Sequence, residues 1–183
     1  MRTLFILIAC ILFFCSCGKV ECPAFPEELM TWVDYKKTDT LRYKSFNDTL
    51  SHIVINNHKS ERYSFNKNLD CVCGASAGFV SDINKNGYNI IGSCYYSDDL
   101  IDVSYRFQTS EIEDLFEFRY DLSNNQLLDD LTIINYELNG VVLSNVGMLE
   151  NTNNIIISKV YFTSEKGLIA FVDNNNTEWK LIE

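Results

Sequence analysis

The stretch "LIDVSYRFQ" at 100–108 alternates with strict period two: Ile101, Val103, Tyr105 and Phe107 against Asp102, Ser104, Arg106 and Gln108. Successive side chains on a strand point to opposite faces, so this pattern describes a strand with one dry and one wet face. The same alternation runs through "TLSHIVIN", "RYSFN", "YNIIGSCYY", "FEFRY", "TIINYEL", "VVLSNV", "IIISKVYF", "GLIAFV" and "TEWKLI". Asn86-Gly87, Asn139-Gly140, Lys166-Gly167 and the "DNNN" at 173–176 separate these segments. Asn-Gly between apolar runs is a strong hairpin signal, because both residues accept positive φ. Ten or more short strands at hairpin spacing predict an all-β, mainly antiparallel domain: a barrel, half-barrel or sandwich. The chain shows no βαβ rhythm, P-loop or dinucleotide fingerprint.

Two segments depart from period two. In "CPAFPEELMTWVDY", Pro26 suits a first helical position and the following acids suit its positive end. Leu29, Trp32 and Val33 then share a face, which predicts a short N-terminal helix. Ser110 followed by Glu113 forms a capping-box pattern, with Ile112, Leu115 and Phe116 at helical spacing. One helical turn leading into the 116–120 strand is expected there, and 121–130 reads as a polar connection.

The amino end carries an address. Arg2 precedes the apolar run "TLFILIACILFF", which Ser16, Gly18 and Lys19 close well short of the roughly 20 residues needed to cross a bilayer. This describes a secretory signal, and Ser16-Cys17 resembles a bacterial lipoprotein cleavage site at which the new first cysteine receives lipid. The expected organisation is a signal peptide at 1–16, a lipid-anchored tether at 17–25 and one β domain at 26–183. Cys10 and Cys15 would leave with the signal. Each buried CH₂ of an acyl chain contributes about 0.8 kcal/mol, so several chains hold a domain firmly on a membrane. The formal charge of −10 argues against nucleic acid as a partner.

Export implies oxidation, which leaves Cys22, Cys71, Cys73 and Cys94 as disulfide candidates. Cys71 and Cys73 lie two apart on a strand and share a face. One is expected to reach Cys94 and the other Cys22, in either assignment. A Cys₄ zinc site is the weaker alternative, since C-x₂-C pairs are absent.

Candidate chemistry is sparse. His52 alternates with Leu50 and Val54 on a strand, and His58 is expected in a turn, "NNHKS"; no nucleophile motif accompanies either. Asp98-Asp99, Asp129-Asp130 and the Glu111, Glu113, Asp114 group read as solvated turn charge. Asp82, Asn84 and Asn86 with Gly87 reproduce the first half of a calcium loop, but Ser93 stands where the bidentate acid belongs. The metal reading is therefore weak, and no cofactor is expected. Tyr105, Phe107, Phe116 and Phe118 are either core or the lining of a pocket for an apolar ligand.

Two stretches resemble a set of uncharacterised Bacteroidetes outer-membrane lipoproteins. They are "ECPAFPEELMTWVDYKKTDTLRYKS" at 21–45 and "LNGVVLSNVGMLE" with "VYFTSEKGLIAFVDNNNTEWKLI". The resemblance covers roughly a third of the chain and departs at Thr38, which stands where that set often has glycine. It implies export and attachment to the outer membrane, with no activity assigned. Asp39-Thr40-Leu41 and Asp48-Thr49-Leu50 resemble sites at which such bacteria O-glycosylate exported proteins, making Thr40 and Thr49 candidates. An acidic export cluster after the anchor is missing, as "GKVE" holds only Glu21, so either membrane face remains open. The functional expectation is a non-catalytic envelope module binding an apolar ligand or a protein partner. The alternative is a structural or accessory subunit of an outer-membrane complex.

Overall fold

The computed structural model describes residues 25–65, 71–97, 99–124, 126–127, 129, 131–151 and 155–182. The expected signal peptide at 1–16 and Cys17 lie outside them. After a single helical turn, α1 (Glu27–Met30), the described chain is β-strand and connecting turns. The strands are β1 (Thr40–Lys44), β2 (Thr49–Phe65), β3 (Cys71–Ser81), β4 (Asn89–Ser97), β5 (Leu100–Gln108) and β6 (Glu113–Asp121). They continue with β7 (Gln126–Leu127), β8 (Thr132–Leu138), β9 (Val141–Glu150), β10 (Ile157–Thr163), β11 (Gly167–Asp173) and β12 (Glu178–Ile182).

All twelve form one antiparallel sheet in the order β7-β6-β5-β4-β3-β2-β1-β12-β11-β10-β9-β8. Read as a circle, this is simply the sequence order. Every consecutive pair is hydrogen-bonded except β7 and β8, and β1 joins β12 through Arg42–Ile182, Tyr43–Leu181 and Lys44–Lys180. The sheet is a curled half-barrel, open along the seam between β7 and β8. Across that gap β6 approaches β9.

The inward faces follow from alternation. In β5, Ile101, Val103, Tyr105 and Phe107 are buried, and β4 and β6 continue the layer with Ile90, Cys94, Phe116 and Phe118. Two aromatic groups fill the curl. Tyr43, Tyr88, Phe107 and Phe171 pack at the end of the β1–β2 hairpin, while Phe118 and Phe162 stack at 4.7 Å beside Trp32 at the other. The β8–β9 hairpin folds over the outside of β11 and β12. Tyr136 donates to Glu178 at 2.9 Å, Asn139 Nδ2 to the Leu181 carbonyl at 2.9 Å, and Lys180 Nζ to the Glu137 carbonyl at 3.1 Å. A small second core results, holding Ile169 against Tyr136 and Val146. A register shift at Ile134/Tyr136 and positive φ at Asn145 (57°) mark where the hairpin bends away from the seam.

Three sequence expectations change. The N-terminal helix is one four-residue turn without a side-chain cap, and Trp32 and Val33 reach the core from the irregular chain after it. No helical turn forms at 110–113: Thr109 Oγ1 accepts the amides of Glu111 and Ile112 and closes a β-turn into β6. Burial of Phe116 and Phe118 on a strand outweighs the local capping signal. Finally, "NNHKS" is not a turn. β2 runs unbroken through it, because residues 56–60 pair with 76–80 of β3 and the ladder satisfies their backbone.

Candidate functional site: an apolar cavity at the open seam

Where the seam parts, a cavity of about 1050 Å³ enters the curl. Its inner wall is Ile101 and Val103 of β5 with Phe118 and Tyr120 of β6. Across the gap stand Ile133 of β8, Gly147 of β9 and Phe162 of β10. Leu29 and Trp32 form a third wall. Gly147 is required by packing, since a Cβ there would lie 2.4 Å from the Phe162 ring. The mouth carries the polar groups Thr31, Asn145, Ser164 and Glu165, with Leu122 and Leu131 completing it.

The Trp32 wall is held by backbone recognition. Tyr105 donates its buried hydroxyl to the Trp32 carbonyl at 2.9 Å, and Tyr35 donates to the Lys166 carbonyl at 2.9 Å. Thr31 Oγ1 donates to the Ser164 carbonyl. Gly167 has φ +65°, and a Cβ on it would meet the Trp32 carbonyl oxygen at 2.7 Å, so that approach demands glycine. Burial pushes the Tyr35 and Tyr105 phenols well above their ordinary range, which keeps both as neutral donors.

At the opposite end the seam is pinned. Asp114 of β6 is 3 % exposed and accepts the amides of Ile156 at 2.6 Å, Ile157 at 2.7 Å and Ile155 at 3.2 Å. A carboxylate from one half of the sheet thus holds the β9–β10 connection of the other. Asp114 is therefore not the solvated turn charge that its sequence neighbours suggest. The signal available was its place two residues before the inward-facing Phe116, on the same strand face.

The structure separates the four candidate aromatics. Phe118 lines the cavity, whereas Tyr105, Phe107 and Phe116 are packed in the core around it. Sequence reasoning used Leu29 and Trp32 only as a packing face and did not place Ile133, Asn145 or Glu165 near them.

The other candidates resolve into structural roles or lie apart. His52 is fully buried. Asn84 Nδ2 donates to its Nε2 at 2.9 Å, which leaves Nδ1–H to donate to Ser81 Oγ at 3.2 Å. Ser81 Oγ in turn donates to the Asp82 carbonyl at 3.0 Å and accepts the Ile90 amide at 2.8 Å. Burial lowers the His52 pKa to about 4, so the ring is neutral at pH 7. In the calcium-like loop, Asp82 Oδ1 accepts the Ile53 amide at 2.7 Å and Asn84 Oδ1 the Asn86 amide at 2.9 Å. Asp82 thus ties the β3–β4 loop to β2, and Asn84 braces the loop itself. Among the described residues no group of three or more His, Cys, Asp or Glu could hold a metal.

The expected cysteine pattern needs correction. Cys94 is a free, buried thiol, its pKa pushed up to about 12 mainly by burial. Register explains this: Cys94 pairs with Ala77, four residues from Cys73 along β3. That is about 13 Å of strand, beyond the roughly 7 Å between Cα atoms that a disulfide tolerates. Cys73 is not free, while Cys22 and the Cys71 side chain lie outside the described residues. Thr40 and Thr49 are exposed first residues of β1 and β2.

Comparison with known protein families, characterised proteins and solved structures found no match.

Proposed function

We propose that this protein is a lipid-anchored module of the cell envelope that binds an apolar small molecule in the seam cavity without transforming it. The observation that carries the reading is the cavity itself. About 1050 Å³, bounded chiefly by aliphatic and aromatic side chains with a few polar groups at the rim, matches the form of small-molecule sites in general. The N-terminal sequence supports a signal at 1–16 and lipid on Cys17, and the resemblance to outer-membrane lipoproteins supports retention at that membrane. Leu29 and Trp32 belong to the cavity wall and follow closely in sequence on the expected tether at 17–25. Eleven residues lie between Cys17 and Leu29, at most about 40 Å of extended chain, which keeps the mouth within reach of the membrane surface.

The test uses N-phenyl-1-naphthylamine, a neutral apolar dye. Detergent-free protein should bind one equivalent, with energy transfer from Trp32. The double variant Leu122→Gln/Ile133→Gln should bind at least tenfold more weakly with unchanged thermal stability, since both side chains are partly exposed (40 % and 49 %). Non-saturable binding, or equal binding by the variant, would defeat the proposal.

A second reading, an accessory subunit docking on a larger envelope complex, draws on another surface. Phe46 at the β1–β2 turn is 97 % exposed, and Val141 and Val142 on β9 are 59 % and 68 % exposed. Phe46 shares a shallow groove with Asn139 of the β8–β9 turn. This reading predicts a discrete cross-linked species from position 46 in intact envelopes, lost in Val141→Ser/Val142→Ser.

A further inference from the structure

Among the described residues that line it, the cavity has one charged side chain, and its sign is negative. Among the described lining residues no lysine, arginine or histidine is present, while Glu165 stands at the mouth beside Ser164 and Asn145. Glu165 makes no ion pair with a described residue, in contrast to Glu113, Glu150 and Glu178, each of which meets a cation within 3.5 Å. Lys166, next in sequence, does not line the cavity. The Thr31 hydroxyl donates its proton to the Ser164 carbonyl. Among the described residues the rim thus carries one carboxylate, beside Ser164 and Asn145 side chains that can each donate or accept, on a chain of formal charge −10. The interior below it is apolar and floored by the Phe118–Phe162 stack, with Trp32 tilted against both at 5.2 and 5.8 Å.

Resting on the cavity reading above, we infer that the ligand is an amphiphile with an apolar body and a hydrogen-bond-donating head that carries no negative charge. An amine is the most favoured head and a hydroxyl the next. A carboxylate or phosphate head would meet Glu165 at the polar rim and find no cation among the described lining residues to offset the loss of its water. A site built to pair an anionic head would instead present an arginine or lysine there.

The experiment compares dodecylamine, dodecanol and dodecanoate, each below its micellar concentration, for displacement of N-phenyl-1-naphthylamine from the detergent-free protein at low salt. One chain length holds apolar burial constant. The expected order is amine, alcohol, acid, with roughly fivefold between successive members, the size of one nearby charge interaction near a wet surface. Glu165→Gln should bring amine and acid together while leaving the alcohol unchanged. Glu111→Gln, in the β5–β6 turn at the other end of the sheet, should leave the order intact and so separates local from overall charge. Equal or tighter binding of dodecanoate, or an amine preference untouched by Glu165→Gln, overturns the inference while the cavity reading stands. Failure of all three ligands, the alcohol included, overturns the cavity reading and this inference with it.

Discussion

Asp114 is the side chain on which the two halves of the curl depend, and its removal has a calculable cost. Asp114→Ala deletes one acceptor group serving the amides of Ile155, Ile156 and Ile157. Ile155 is 53 % exposed, so water can replace the carboxylate there. Ile157 is fully buried and Ile156 half-buried, and their bonds are the short ones at 2.7 and 2.6 Å. Hydrogen bonds to a charged partner contribute about 1.5–3 kcal/mol each, and a buried amide left unsatisfied costs the full desolvation. Two such bonds place Asp114→Ala at about 4 kcal/mol, a large part of the roughly 5–15 kcal/mol available to a domain. Asp114→Asn keeps one oxygen for Ile156 and Ile157 but loses the charge, and should cost about 1–2 kcal/mol. Urea unfolding followed by far-UV circular dichroism gives both values from the midpoints. Hydrogen exchange at Ile156 and Ile157 should accelerate before global unfolding in either variant. A loss below about 1 kcal/mol for Asp114→Ala, with protection retained, would refute the idea that this carboxylate closes the seam.

Other outcomes follow from single residues. Thr38 sits at φ 81°, a conformation hostile to a β-branched residue, so Thr38→Gly should stabilise the protein by about 1 kcal/mol in the same urea assay. His52 is held neutral, its pKa lowered from 6.5 to about 4. The unfolded chain therefore binds the extra proton first as pH falls, and stability should decline from about pH 6.5 toward 4 by up to about 3 kcal/mol, a slope reduced in His52→Gln. The Cys94 thiol should resist iodoacetamide in the native state and react only after unfolding; rapid native labelling would contradict its burial. Gly167→Ala should cost about 2 kcal/mol and shift Trp32 fluorescence, because its Cβ would collide with the Trp32 carbonyl.

Much of the sheet was legible because its faces are chemically distinct. Alternation in "LIDVSYRFQ" gives the burial of β5 residue by residue. Gly87, Asn139, Gly140 and Gly167 all take positive φ at the expected turns. Thr38 also takes a left-handed backbone, at φ 81°. The failures lie where distant chain decides. The polar run through His58 reads as a turn, yet pairing with β3 carries it straight on. The 110–116 segment reads as helical until the tertiary burial of Phe116 is known. Asp114 reads as solvated because its partners are forty residues away. The cavity was the least legible feature, since its walls come from α1, β5, β6, β8, β9 and β10, brought together by pairing of β1 with β12 and by contacts across the seam.

The most direct test of the binding account is native mass spectrometry of the full-length protein released gently from envelopes of the producing cell. The account predicts one non-covalent small-molecule adduct per chain, neutral or basic once extracted, and missing from Leu122→Gln/Ile133→Gln. Bare protein in both preparations, or the same adduct retained by the variant, would contradict it.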